Sequence, residues 1–143
     1  MTASDSQRAV PGCGTPENEE LILHPIGRVE NGLSISTPRA TLKETVSKIV
    51  LKPELAPGLD GLERESRILV VFHFHLAEES ELHQHPRGDP SRPRRGVFAL
   101  RGPRRPNPIG VTEVELLEIR ENVLLVRGLD AVDGTPVLDL KPA

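Results

Sequence analysis

The side chains able to do chemistry gather in the middle and second half of the chain. Four of the five histidines fall between His73 and His85: His73 and His75 lie two apart in an apolar run, and His83 and His85 repeat that spacing. An imidazole takes up or delivers a proton and also ligates metals, so each pair is a candidate for either task. From Arg87 to Arg105 the chain carries seven arginines against one carboxylate, Asp89, although its net charge is -3. Such a basic island fits phosphate binding with a salt-sensitive affinity, or a solvated loop. In Arg105-Pro106-Asn107-Pro108-Ile109-Gly110 two prolines fix the backbone on either side of Asn107, and Gly110 permits close backbone approach. That run reads as a rigid pocket-forming loop. Asp130 and Asp133 flank Ala131 and Val132, and Asp133-Gly134 is also a turn signal.

These groups need short, stiff elements to hold them. Ile68 to His75 is the clearest strand, a β-branched and aromatic apolar run that puts His73 and His75 on one face. Gly96 to Leu100, Val111 to Ile119, Val123 to Val126 and Val137 to Leu140 read as further strands, with a turn at Arg120-Glu121-Asn122. Upstream, Leu21 to Val29 reads as a first strand broken near Pro25. Thr45 to Leu51 reads as a second strand with Val46, Ile49 and Leu51 buried. Pro53 to Leu62 is turns with one helical turn, and Glu78 to Pro93 is a long polar loop. Residues 1–20 are polar and aperiodic, and the expectation there is a disordered tail before a single domain over 21–143. Many short strands separated by turn signals give an all-β reading, a small barrel or sandwich.

Composition narrows the choices. The 143 residues fit one core, and 14 prolines argue against a helical bundle. With no Trp or Tyr and three Phe the core is aliphatic, and a base-stacking platform is hard to build. Cys13 stands alone, so neither an intrachain disulfide nor a multi-cysteine metal site is expected. No apolar stretch is long enough for a membrane helix, and a cytoplasmic location is the expectation.

Gly96-Val97-Phe98-Ala99-Leu100-Arg101, Arg105 to Gly110 and Leu129 to Pro142 together resemble the TrmO-like (YaeB/TsaA-type) tRNA methyltransferases. Pro25-Ile26-Gly27-Arg28-Val29 and Gly58-Leu59-Asp60-Gly61-Leu62 fit the same pattern in the same order, so the match runs from about residue 22 to the C-terminus. The resemblance implies a small single β-barrel, homodimeric, binding S-adenosylmethionine near the subunit interface. Members methylate the exocyclic amine of a threonylcarbamoyl-modified adenosine beside the tRNA anticodon. By resemblance the cofactor contacts are Pro38, Arg39, Phe74, His75, Leu76, Arg101, Asn107, Ile109, Gly110, Val111, Asp130 and Asp133. His75 is the candidate base, and no metal is expected. Arg94, Arg95, Arg104 and Arg105 are the candidate contacts to RNA.

The sequence also departs from the family pattern. Ala40 stands where a glutamine is usual, Leu76 where a polar residue is usual, and Glu65-Ser66-Arg67 where an aromatic precedes the central strand. The chain stops just past the barrel, where members acting on tRNA carry a further domain. A small-molecule acceptor is therefore carried as an alternative, as is a non-catalytic S-adenosylmethionine- or RNA-binding module. A third alternative is a cupin-like metal site, because His73-x-His75 followed by Glu79 mimics a cupin triad. It lacks the expected glycines, with Arg67 and Pro86 in their places.

Overall fold

The computed structural model describes residues 19–143, so the tail expected over 1–20 lies almost wholly outside the described residues. Among the described residues eight strands form: β1 (Gly27–Glu30), β2 (Val46–Leu51), β3 (Arg67–His73), β4 (His83–Gln84), β5 (Arg95–Gly96), β6 (Ile109–Arg120), β7 (Val123–Arg127) and β8 (Pro136–Pro142). Six close into an antiparallel barrel in the order β1-β2-β7-β6-β3-β8, and β4 and β5 make a separate two-stranded ladder. The expectation of a small all-β barrel holds. Among the described residues no helix is long and apolar enough to cross a membrane.

Strand alternation explains the core. Inward positions carry Val29, Ile49, Leu51, Ile68, Val70, Phe72, Val114, Leu124, Val126 and Val137, all buried. Closure of so small a barrel demands near contact of backbones. At Gly27, paired with Leu51, an added Cβ would lie 2.3 Å from the carbonyl oxygen of Val50, so a larger residue does not fit there. A bulge between Val71 and Phe72 bends the β3–β8 ladder, and a second, between Leu116 and Glu118, bends β6 against β7. Glu121 takes a positive φ of 55° in the tight β6–β7 turn.

Several expected elements come out differently. The first strand is only Gly27–Glu30; Leu21, Ile22 and Leu23 are exposed, because pairing with β2 and β8 begins at Gly27. Val46 is also exposed. It faces Arg127 on the outside of the barrel, while Ser47 takes the inward position that shares parity with Ile49 and Leu51. Gly96 to Leu100 is not a strand beyond Gly96: Val97–Ala99 form a 3-10 turn with Val97 buried. The 78–93 loop is ordered by the β4–β5 ladder and a 3-10 turn at Pro86–Gly88. A short helix, α1 (Arg39–Glu44), follows Pro38 and buries Leu42; no periodicity announces a helix of one and a half turns.

Candidate functional site

β6 is much longer than β7, and this mismatch opens the site. From Ile109 to Val114 the edge of β6 away from β3 has no strand beside it, since the β6–β7 ladder begins only at Glu115–Arg127. Beyond Arg127 the chain turns away, with the Gly128 N–H donating to Thr45 O. Phe74 N–H donates to Pro108 O at 2.8 Å and Leu116 N–H to Ser66 O at 2.9 Å, which fixes the parity of the β3–β6 ladder. Gly110, Thr112 and Val114 thus turn their backbone groups to β3, and Val111 and Glu113 turn theirs to the open edge. Among the described residues those two edge amides and carbonyls make no hydrogen bond.

This edge walls a cavity of about 880 Å3, within the range of small-molecule sites. Its lining also includes Asp130, Ala131, Val132 and Thr135, Arg39, Leu42 and Lys43 of α1, and Phe74 to Ala77 with the Ala99 to Pro103 loop. Phe72 and Phe74 form the aromatic floor, packed edge to face with centroids 5.1 Å apart. Gly110 makes that floor possible. A Cβ there would lie 2.6 Å from Phe72 Cζ and 2.8 Å from Phe74 Cζ.

The wall at 130–132 is held by a residue that the sequence reading missed. Asn31 donates from Nδ2 to Ser47 Oγ at 2.9 Å and to Ala131 O at 3.0 Å, and its Oδ1 accepts from Leu33 N–H at 3.0 Å. Thr135 adds a bond to Val132 O at 2.7 Å. A lone asparagine in a turn carries no sequence signal for a contact a hundred residues away.

The site residues expected from sequence separate into those the fold brings to the cavity and those it does not. Arg39, Phe74, His75, Leu76, Arg101, Gly110, Val111 and Asp130 line it. Arg39 Nη2 stands 3.2 Å from Asp130 Oδ2, so α1 and the 130–132 segment meet through an ion pair. Asp133 does not reach the cavity. Its Oδ1 accepts from the backbone of Asn31 at 2.8 Å and Gly32 at 3.1 Å, and these bonds, Gly32's first, hold its carboxyl below the usual carboxylate range. Asn107 and Ile109 are also outside the lining; between them Pro108 is tied through its carbonyl to Phe74 N–H. Pro38 caps α1 through its carbonyl, which accepts from Thr41 and Leu42. His75 sits beyond the end of β3 in a turn, so His73 and His75 do not share a strand face as expected. No group of three or more His, Cys, Asp or Glu able to hold a metal occurs among the described residues.

The arginines divide in the same way. Arg104 and Arg105 are taken up internally: Arg104 Nε donates to Glu79 O, and Arg105 Nη1 to Leu100 O at 2.9 Å and Gly102 O at 3.1 Å. Arg94 braces the β4–β5 ladder by donating to His83 O at 3.0 Å. Arg87, Arg92, Arg95 and Arg101 line the cavity and form no ion pair among the described residues. Arg87 adopts φ 56°, ψ 22°, the left-handed region, which costs a side-chain-bearing residue roughly 1–2 kcal/mol. Strain at a cavity residue fits a site whose geometry is imposed by function.

A six-stranded closed barrel with a charged, partly aromatic cavity beside an unpaired strand edge defines a small-ligand-binding barrel domain. Residues 34–143 match the family model of the tRNA-methyltransferase O N-terminal domain. A protein of Methanothermobacter thermautotrophicus named as a probable S-adenosyl-L-methionine-binding protein is 44% identical over 126 residues, spanning 86% of this chain and 90% of its own. The tRNA (adenine(37)-N6)-methyltransferase of Rattus norvegicus is 36% identical over 153 residues, spanning 96% of this chain and 35% of its own. The crystal structure of TrmO from Pseudomonas aeruginosa superposes with a TM-score of 0.69 at 32% identity, over 87% of this chain and 56% of that one. This chain therefore belongs to the tRNA-methyltransferase O family. It spans about a third of the rat enzyme's length and little more than half of the Pseudomonas one, but nearly all of the archaeal relative.

Proposed function

We propose that the cavity binds S-adenosylmethionine and that the protein transfers its methyl group to the exocyclic amine of an adenosine beside the tRNA anticodon, one carrying a threonylcarbamoyl group. Family membership and the names of the relatives support the cofactor and the reaction. The single structural observation that carries the reading is the open β6 edge at Val111 and Glu113, which offers unpaired donors and acceptors on the wall of a cavity of suitable size.

The residues present fit the cofactor's three parts. The edge groups of Val111 and Glu113 match the donor and acceptor positions on the rim of an adenine ring. Arg101, without a carboxylate partner among the described residues, suits a carboxylate, where a guanidinium fork engages two oxygens. Asp130, anchored by Arg39, suits hydroxyls or an ammonium. When bound, S-adenosylmethionine supplies an already activated methyl group, so the protein's work is alignment, exclusion of water and proton removal. Phe72 and Phe74 supply the dry floor. In this reading His75, in the turn with Leu76 and in the cavity lining, is the base that takes the proton an attacking amine releases. A homodimer sharing the site, and an anionic RNA acceptor drawn by Arg87, Arg92 and Arg95, complete the reading.

Calorimetric titration with S-adenosylmethionine, followed by nuclease digestion of labelled tRNA, tests it. Binding is expected, with label in a modified adenosine, and Arg101→Ala is expected to weaken binding at least tenfold. Binding with label only in small-molecule acceptors would replace the tRNA assignment. No binding would remove the cofactor reading altogether.

A further inference from the structure

Among the described residues Arg101 forms no ion pair, so the loop that carries it decides where its guanidinium stands. That loop is pinned on both sides of Arg101. Leu100 N–H donates to Val97 O at 3.0 Å, Arg105 N–H donates to Pro103 O at 3.0 Å, and Arg105 Nη1 holds Leu100 O and Gly102 O. A further fastening comes from outside the loop, from Gln84 of β4. Its Nε2 donates to Arg104 O and to Glu81 O, both at 2.6 Å, so both amide protons go to main-chain carbonyls. Only an NH2 group can donate to two carbonyls, which fixes the orientation of the amide. Oε1 then lies toward Gly102, 3.8 Å from where a Cβ on that glycine would stand.

The main chain of Gln84 pairs with Arg95 in the β4–β5 ladder, as His83 pairs with Gly96. Gln84 therefore joins the ladder that carries Arg95 to the loop that carries Arg101, and both arginines line the cavity. Arg104 reinforces the seam: its Nε donates to Glu79 O at 3.1 Å, and its Nη1 stands 3.4 Å from Glu81 Oε1. All of these bonds are made within one chain, between groups that no partner subunit has to supply. Gln84 is half-buried and lies outside the buried core of the barrel, so its amide organises the loop rather than the fold. A guanidinium that engages a carboxylate through two parallel N–H bonds tolerates little misplacement.

We propose that Gln84 is the positioning residue for Arg101: its amide, clasping Arg104 O and Glu81 O, sets where the guanidinium meets the carboxylate of the cofactor. The proposal rests on the S-adenosylmethionine reading above and deepens it, because it names a residue that serves one end of the cofactor, the carboxylate, without touching it.

The test titrates the full chain with S-adenosylmethionine and with its decarboxylated form, which keeps the nucleoside, the sulfonium and the ammonium and lacks only the carboxylate. Gln84→Met keeps the length of the side chain and removes both donors. It is expected to weaken S-adenosylmethionine binding roughly three- to tenfold, the scale of one lost hydrogen bond. Affinity for the decarboxylated form stays within about twofold of the wild type, the margin expected of sites that do not interact. In an Arg101→Ala background the same substitution has no further effect, because the amide acts through that guanidinium. Gln84→Ala, which puts no thioether beside the two carbonyls, shows the same selectivity and serves where the Met variant does not fold. Equal weakening of both ligands, or an undiminished effect in the Arg101→Ala background, makes Gln84 a general support of the loop and overturns the proposal. Unchanged affinity for both ligands overturns it too, and in all of these cases the cofactor reading stands. A wild type that binds the two ligands equally tightly removes the contact between Arg101 and the carboxylate, and the proposal with it. A wild type that binds neither overturns the cofactor reading and the proposal together.

Discussion

Gly110→Ala is the sharpest probe of how the barrel forms its cavity. The added methyl would stand 2.6 and 2.7 Å from Phe72 Cζ and Cε2 and 2.8 Å from Phe74 Cζ. That is nearly 1 Å inside the ~3.5 Å at which carbon atoms begin to attract. Phe72 is 2% exposed and surrounded by the core, so it has little room to yield. Phe72 can shift only together with Phe74, which borders the cavity, so the edge-to-face pair breaks and the Phe74 ring tilts into the cavity. Overpacking of this kind costs about 1–3 kcal/mol. For a chain of this length that lowers Tm by roughly 4–12 °C. With no Trp or Tyr in the chain, the melt is best followed by circular dichroism or scanning calorimetry. S-adenosylmethionine affinity is expected to fall with Tm, and Phe74→Leu in the same chain should recover much of the loss, a coupling that a double-mutant cycle measures. A Gly110→Ala protein that melts within 1 °C of wild type and binds the cofactor equally well would refute the packing argument.

Other perturbations follow from single contacts. Asn31→Ala removes the side-chain bonds to Ser47, Ala131 and Leu33 and leaves a buried hydroxyl short of a partner. A loss of about 1–3 kcal/mol is expected by denaturant unfolding, together with weaker cofactor binding as the 130–132 wall loosens. Arg105→Ala removes both bonds that Nη1 donates, to Leu100 O and Gly102 O, and loosens the segment that carries Arg101; several-fold weaker cofactor binding is expected by calorimetry. Asp133 has its carboxyl lowered in the folded protein by the Gly32 and Asn31 amides. Its stabilising effect is thus complete above the ordinary carboxylate range and disappears as pH falls through the lowered folded value. Melting curves across that acid range should show a component absent from Asp133→Asn; identical pH profiles for the two proteins would contradict it.

Much of the barrel was legible because its strands carry apolar runs bounded by turn signals. β3, β6, β7 and β8 follow from the runs Ile68 to His75, which overshoots the strand's end at His73, Val111 to Ile119, Val123 to Val126 and Val137 to Leu140. Hydrophobicity misled where parity mattered: Val46 is apolar but faces outward opposite Arg127, and Ser47 is polar but faces inward, where Asn31 bonds it. The order of the 78–105 region was not legible, since side chains bonded to distant carbonyls build it. His85 Nδ1 meets Arg92 O at 2.7 Å, Gln84 Nε2 reaches Glu81 O and Arg104 O at 2.6 Å, and Arg94 holds His83 O. The same difficulty affects the site. Motif resemblance placed Arg39, Arg101 and Asp130, but which arginines stay free and which serve the loop depends on contacts that spacing does not encode.

Transfer of labelled methyl from S-adenosylmethionine to a tRNA bearing threonylcarbamoyl adenosine beside the anticodon tests the central claim most directly. Label is expected on the exocyclic nitrogen of that adenosine, at a rate that falls with Arg101→Ala and His75→Ala. An unlabelled tRNA in the presence of demonstrated cofactor binding would contradict it.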